Sequence, residues 1–161
     1  MNKSLIESCE AGDARRFQSI LSRRRSGLLN INLIDACTGY TLLHRAISNN
    51  QIQIVELLLS EDECDIYIHT ADGFDAFHLC CFFGHLHIAE LLLAKNYNIH
   101  LCDYNGRSCL HNSCLHDRSE GIGIINNLFT LPCTHSLTHS LIYLHYFISA
   151  IIVAKEASNQ Y

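Results

Sequence analysis

A single proline, Pro132, stands in the whole chain, so no proline-rich linker divides it. Charge is scarce as well: Asp, Glu, Lys and Arg make up 17% of the 161 residues, against 48% apolar ones. That balance excludes a disordered acidic segment, which carries too little apolar surface to order itself. The formal net charge of −5 also excludes the strong positive field with which basic proteins capture phosphate backbones. The opening MNKSLIESCEAGD has neither the apolar h-region nor the small-residue cleavage site of a secretory signal. No nucleophile elbow and no glycine-rich phosphate loop occur, and Gly121-Ile-Gly123 is a loop fragment rather than a dinucleotide fingerprint. An enzyme reading therefore has no residue to rest on.

What the chain does have is repetition. One segment reads Gly39-Tyr-Thr-Leu-Leu-His44, continues to Asn50, and is followed by Ile54-Val-Glu-Leu-Leu-Leu59. A second reads Gly73-Phe-Asp-Ala-Phe-His78, continues to Gly84, and is followed by Ile88-Ala-Glu-Leu-Leu-Leu93. A third opens Gly106-Arg-Ser-Cys-Leu-His111. The histidines stand 34 and then 33 residues apart. Each unit predicts two short helices. Thr41, Asp75 and Ser108 are good N-caps, and a histidine three residues later can reach back to the cap, as Glu does in a capping box. Asn50 and Gly84 suit the left-handed turn that ends a first helix, and Gly39, Gly73 and Gly106 suit positive φ at a hairpin tip. Runs such as Ile54-Val55 with Leu57, Leu58 and Leu59 give each second helix an apolar face.

A period of about 33 with this pattern resembles the ankyrin repeat, a β-turn followed by two antiparallel helices. The resemblance covers about residues 4 to 131 and departs from the family where Leu42, Ala76 and Cys109 replace the proline after the cap. It implies an all-α repeat solenoid of about four repeats with short β-hairpin loops, plus an apolar C-terminal helix or tail. The expected domain spans 1–132: a degenerate N-terminal capping repeat at 1–34, then repeats at about 35–68, 69–102 and 103–131. Residues 133–161 form the tail.

Nine cysteines and eleven histidines invite a metal reading, most densely at Cys109-x-His111-x-x-Cys114-x-His116. Structural zinc needs four ligands converging tetrahedrally. On a helix, residues 111 and 114 share a face, but 109 lies at its start and 116 points elsewhere. The repeat register already accounts for His111 as a cap partner and Cys114 as a small core residue, so no metal and no cofactor is expected. Cys80-Cys81 take the family's Ala-Ala positions as small hydrophobes. His85 and His87 open a second helix and are expected to be exposed. An odd cysteine number without a leader fits reduced thiols in the cytoplasm or nucleus. Arg15, Arg16, Arg23, Arg24 and Arg25 read as a solvated helix face and loop, with an acidic-partner patch or a kinase site at Ser26 as the sharper alternatives.

From Gly121 to Ala154 the chain has no Asp, Glu, Lys or Arg. Leu137, Leu141, Leu144, Ile148 and Ile151 recur at 4-3-4-3 spacing, the seam of a packed helix. The apolar run from Leu141 to Ala154 is 14 residues, against the roughly 20 a membrane span needs. A helix capping the open end of the repeats is the expectation, since solenoids need caps; a membrane anchor and a disordered or artefactual end are the alternatives.

The resemblance implies a non-enzymatic module that binds another protein, with no nucleic acid involved and a monomer apart from that partner. Binding would use the concave helix face at Ser48, Asn49, Phe82, Phe83, Leu115 and His116. The hairpin rim would add Tyr40, Phe74, Tyr104 and Arg107. Two adjacent phenylalanines at a solvent-facing pair would be an apolar patch of the kind that marks a contact. The competing readings are a membrane-anchored adaptor using the tail and the recognition fragment of a larger enzyme such as a ligase or kinase.

Overall fold

A computed structural model describes residues 2–23, 30–99 and 101–109. These contain six helices: α1 Asn2–Glu10, α2 Ala14–Ser22, α3 Leu42–Ser48, α4 Ile52–Leu59, α5 Ala76–Phe83 and α6 Leu86–Ala94. Helices of seven to nine residues are too short to stand alone in water, so packing must hold them. Packing comes from stacking. Within each unit α1 lies on α2, α3 on α4 and α5 on α6. Between units α1, α3 and α5 form one row, and α2, α4 and α6 form the other. The molecule is an all-α repeat solenoid.

The sequence sets where each helix begins. Thr41 caps α3 by accepting the His44 N–H, while His44 Nδ1 accepts the Thr41 N–H at 3.1 Å, a complete capping box. Asp75 caps α5 by accepting the N–H groups of Phe77 and His78 at 2.9 and 3.0 Å. Helical backbone resumes at Cys109, directly after the buried Ser108. The reversals within units fall at Gly12, Asn50 and Gly84, all with positive φ.

Between the units run tight turns, each closed by two main-chain bonds: Asp35 N–H to Tyr40 O with Gly39 N–H to Asp35 O, Thr70 N–H to Phe74 O with Gly73 N–H to Thr70 O, and Asp103 N–H to Arg107 O with Gly106 N–H to Asp103 O. Their polar side chains fix them further, as when Asp35 accepts from the N–H groups of Cys37 and Thr38. The expected β-hairpins are thus reduced to turns. Among the described residues the only ladder contact is an isolated bridge between Cys102 and Ser108.

One continuous core runs through the stack, from Leu5, Cys9 and Phe17 through Ile47, Ile54 and Leu58 to Phe77, Ile88 and Leu92. Burying a large apolar side chain contributes about 1.5–3 kcal/mol, so this core outweighs any single cap. Ala46 and Cys80, both fully buried at equivalent positions of α3 and α5, are small enough to let the inner row close up. Four of the cysteines, Cys9, Cys80, Cys81 and Cys109, are buried in it as the sequence suggests; Cys37, Cys64 and Cys102 lie in connecting segments.

Candidate partner-binding face

The inner row and the turns beside it carry the residues expected to meet a partner. Along α3, Arg45 bridges units: its guanidinium donates to Glu10 Oε1 of α1 at 2.8 Å and to Asp35 Oδ2 of the first turn at 3.0 Å. N–H groups of Thr38 and Cys37, then the Thr38 hydroxyl and the Arg45 charge, hold the Asp35 carboxyl below its usual range. Ser48 is half-buried and its hydroxyl donates to the His44 carbonyl; Asn49 is exposed. The α3 portion of this face is thus polar and internally paired.

Along α5 the same positions become aromatic. Phe82 and Phe83 are half-buried rather than open to solvent. Their rings meet edge to face at 5.0 Å, and Phe74 of the second turn tilts against Phe82 at 5.7 Å. Phe83 also packs against the core, and His85 stacks on it at 5.7 Å. This corrects the expectation that His85 is exposed: it is half-buried with Nε2 shielded from solvent, because the adjacent phenylalanine offers a ring to stack on. His87 is exposed as expected and lies 3.5 Å from Glu90.

At the rim Tyr40 and Phe74 are half-buried, while Tyr104 is 71% exposed and Arg107 is exposed. Tyr104 lies flat on His69, with ring centres 5.6 Å apart. The structure therefore places Phe74, Phe82 and Phe83 in one array, with Tyr104 and Arg107 on the following turn. Tyr40 sits two turns away from Tyr104, next to Arg45. Leu115 and His116 lie outside the described residues, as do His111, Cys114, Ser26 and the tail.

A feature with only a faint sequence signal adjoins Tyr40. A pocket of about 130 Å³ opens between α1 and the first turn, lined by Leu5, Ile6, Leu33, Ile34, Tyr40 and Arg45. Leu33 and Ile34 are 38% and 52% exposed. The signal was two adjacent apolar residues just before the turn aspartate, in a stretch assigned to a capping unit.

Among the described residues the tightest acid–base pair lies in the interior. Asp75 and His78 are fully buried, with His78 Nδ1 2.9 Å from Asp75 Oδ1, and Tyr97 donates its hydroxyl to Asp75 Oδ2. A carboxylate–imidazole pair would suit general-base catalysis, but a substrate must reach it, and this one is sealed between repeats. The buried thiols are equally unreactive: burial pushes Cys9 up to about 11 and Cys80 well above the usual thiol range, and the hydrogen bond with Cys109, then burial, does the same for Cys81. Among the described residues no group of three or more His, Cys, Asp or Glu could hold a metal ion, and no helix is long and apolar enough to cross a membrane.

Comparison with known proteins bears on the repeats directly. Two family models, both described as ankyrin repeat, match residues 38–68 and 72–104. The chain is 29% identical over 89 residues to the human (Homo sapiens) Notch-regulated ankyrin repeat-containing protein, covering 55% of this chain and 76% of that one. It is 33% identical over 84 residues to the probable E3 ubiquitin-protein ligase XBOS32 of Oryza sativa subsp. japonica, covering 52% of this chain but only 17% of the ligase. BTB/POZ domain-containing protein 1 of Schizosaccharomyces pombe (strain 972 / ATCC 24843) is 31% identical over 99 residues, which span 7% of its length.

Proposed function

Starting from a chain that is an ankyrin-repeat protein, and so carries a protein-interaction fold, we propose that it binds its partner on the inner helix row and the turns beside it. The binding residues are Ser48, Asn49, Phe82 and Phe83 with Leu115 and His116 of the following unit, rimmed by Tyr40, Phe74, Tyr104 and Arg107. This reading keeps 1–132 as the repeat domain, with 133–161 as a separate tail. The observation that carries it is the half-open array of Phe74, Phe82 and Phe83 beside the exposed Tyr104 and Arg107. Aromatic rings and arginine are the side chains that dominate interface energetics, and half-buried rings lose little further freedom on docking.

The partner itself is a protein of unassigned identity. The name of the Notch-regulated relatives describes how those proteins are controlled and transfers no partner to this chain. Likeness to a ubiquitin ligase over 17% of its length concerns the repeats alone, so catalysis does not transfer with it.

The test is affinity capture with the full chain, the captured protein identified by mass spectrometry, followed by titration. Phe83→Ala and Arg107→Ala should each weaken that complex by at least about 1 kcal/mol, roughly fivefold or more, with unchanged melting. Gln18→Ala, on the opposite row, should leave it unaltered. Equal affinity for all three variants would sink the assignment of this face.

A further inference from the structure

A main-chain nitrogen can attack the side-chain carbonyl of an asparagine or aspartate just before it, and the attack is least hindered when that nitrogen belongs to glycine. The chain offers two such pairs, Asp72-Gly73 and Asn105-Gly106, at the tips of the second and third turns. The structure separates them. Gly73 is buried, and a Cβ there would lie 2.4 Å from Tyr104 Cγ and 2.6 Å from the Tyr104 backbone N, so the second tip is clamped against the third turn. Gly106 is exposed, and among the described residues nothing lies within 4 Å of a Cβ placed on it. The leaving groups differ as well: Asn105 has ammonia to lose, whereas an ionised Asp72 carboxylate is a poor electrophile.

The other asparagines are tied down or obstructed. Asn32 donates from Nδ2 to the Glu63 carbonyl at 2.7 Å and accepts the Asp65 N–H at 3.0 Å, and Asn49 donates to the Arg45 carbonyl at 3.0 Å. Asn50 and Asn96 precede Gln51 and Tyr97, whose side chains crowd the attacking nitrogen. The Asn105 carboxamide is exposed and, among the described residues, takes part in no hydrogen bond. Its neighbour is held: the Gly106 N–H donates to the Asp103 carbonyl at 2.9 Å, and that bond must open before the nitrogen can attack. Turning over the peptide between residues 105 and 106 is enough, because glycine accepts either sign of φ. The Arg107 N–H can stay on Asp103 Oδ1 at 2.8 Å, and the Asp103 N–H on the Arg107 carbonyl, while it does so.

We propose that Asn105-Gly106 is a self-modifying site on the rim, which loses its side-chain amide by way of a succinimide. The Gly106 nitrogen gives up its proton and bonds to Asn105 Cγ. The bond from Cγ to the side-chain nitrogen breaks, and that nitrogen takes up a proton and leaves as ammonia. Water then opens the ring at one carbonyl or the other. The product is aspartate at 105, or an isoaspartyl link in which the main chain runs through the former side chain. Either one sets a new carboxylate between Tyr104 and Arg107, close in the chain to Asp103. The isoaspartyl form also lengthens the tip by a methylene, against the two main-chain bonds that close the turn. The rim therefore changes charge and shape with age. That consequence rests on the reading of this turn as a binding rim, whereas the chemistry belongs to the chain alone.

The test is to age the folded full chain in mildly alkaline buffer and map it by mass spectrometry, with electron-transfer fragmentation to tell isoaspartate from aspartate. Asn105 should convert to both products at least about tenfold faster than any other described asparagine, and faster than Asp72 isomerises. Hydroxylamine should cleave the ageing chain between 105 and 106, the mark of the succinimide. Conversion should quicken as pH rises, since the attacking nitrogen must shed its proton. Asn105→Gln keeps an amide but moves its carbonyl one bond further off, and it should stay intact at that position. Chain unfolded in guanidinium in the same buffer is the reference. An Asn105 that reacts when unfolded but survives in the folded chain overturns the assignment, and so does a folded chain that loses other asparagine amides as quickly. Unchanged affinity of the aged chain for a captured partner counts against the rim reading and not against these spectra.

Discussion

Thr41 and Asp75 occupy one position of the repeat, yet the histidine three residues on sits differently in each: His44 Nδ1 accepts the Thr41 N–H, whereas His78 Nδ1 lies 2.9 Å from the Asp75 carboxylate. The cap-and-histidine spacing was legible in the sequence, and the structure forms both caps. The surroundings of Asp75 and His78 were not, because Tyr97 and the Arg107 carbonyl come from 22 and 29 residues away along the chain. His44 carries a pH linkage of its own. Burial lowers it from 6.5 to about 4, with the charge of Asp75 and the Ile68 backbone opposing. A histidine kept neutral in the fold contributes stability above pH 6.5, and that contribution drains away as pH falls toward about 4. His44→Asn should therefore be destabilising at neutral pH by about 1–2 kcal/mol through the lost cap partner. The gap from wild type should narrow as pH drops through that window, read from urea melts at matched pH. A gap that widened on acidification would mean His44 is charged in the fold.

At the level of elements, the turns explain what repetition alone leaves ambiguous. Gly39, Gly73 and Gly106 all have positive φ, as their places at the turn tips suggest. Their surroundings differ in a way no single repeat reveals. A Cβ on Gly73 would lie 2.4 Å from Tyr104 Cγ and 2.6 Å from the Tyr104 backbone N, and one on Gly39 would lie 2.4 Å from the Ala71 backbone N. Among the described residues nothing lies within 4 Å of a Cβ placed on Gly106. Each of the first two glycines thus serves the turn stacked on it as well as its own φ. Gly106→Ala should cost about 1–2 kcal/mol from backbone strain alone. Gly73→Ala should cost about 1–3 kcal/mol more, because the third turn must move. Paired denaturant melts check this, and equal losses would show that the turns do not stack so tightly. The same stacking explains why Phe82 and Phe83 are half-buried where the pattern suggested solvent. Phe74, from the turn rather than the helix, slides against Phe82. A helical wheel drawn on α5 alone cannot show that contact.

Over the whole chain, the repeats were legible because period, cap, glycine and apolar face all pointed to one fold, the consistency that makes a sequence foldable. The binding face was legible only as positions: which of those positions are paired, stacked or open depends on neighbouring units. A solenoid built from such units communicates through nearest-neighbour interfaces, and its stability sums over them. Its cysteines report that coupling. Cys37 and Cys102 are exposed, whereas Cys9, Cys80, Cys81 and Cys109 are buried at successive interfaces of the stack. In native buffer a thiol reagent should label Cys37 and Cys102 quickly. The four buried thiols should react only through opening, with rates that rise steeply with denaturant. If the stack opens as one cooperative body, Cys9 and Cys80 will share one denaturant dependence despite sitting in different units; if it frays from an end, the outer cysteine will react first. Labelling in full denaturant without reductant should approach all nine thiols of the sequence. A shortfall of two or more would mean that disulfides form, and the stack would then owe part of its stability to covalent links rather than to packing between neighbouring repeats.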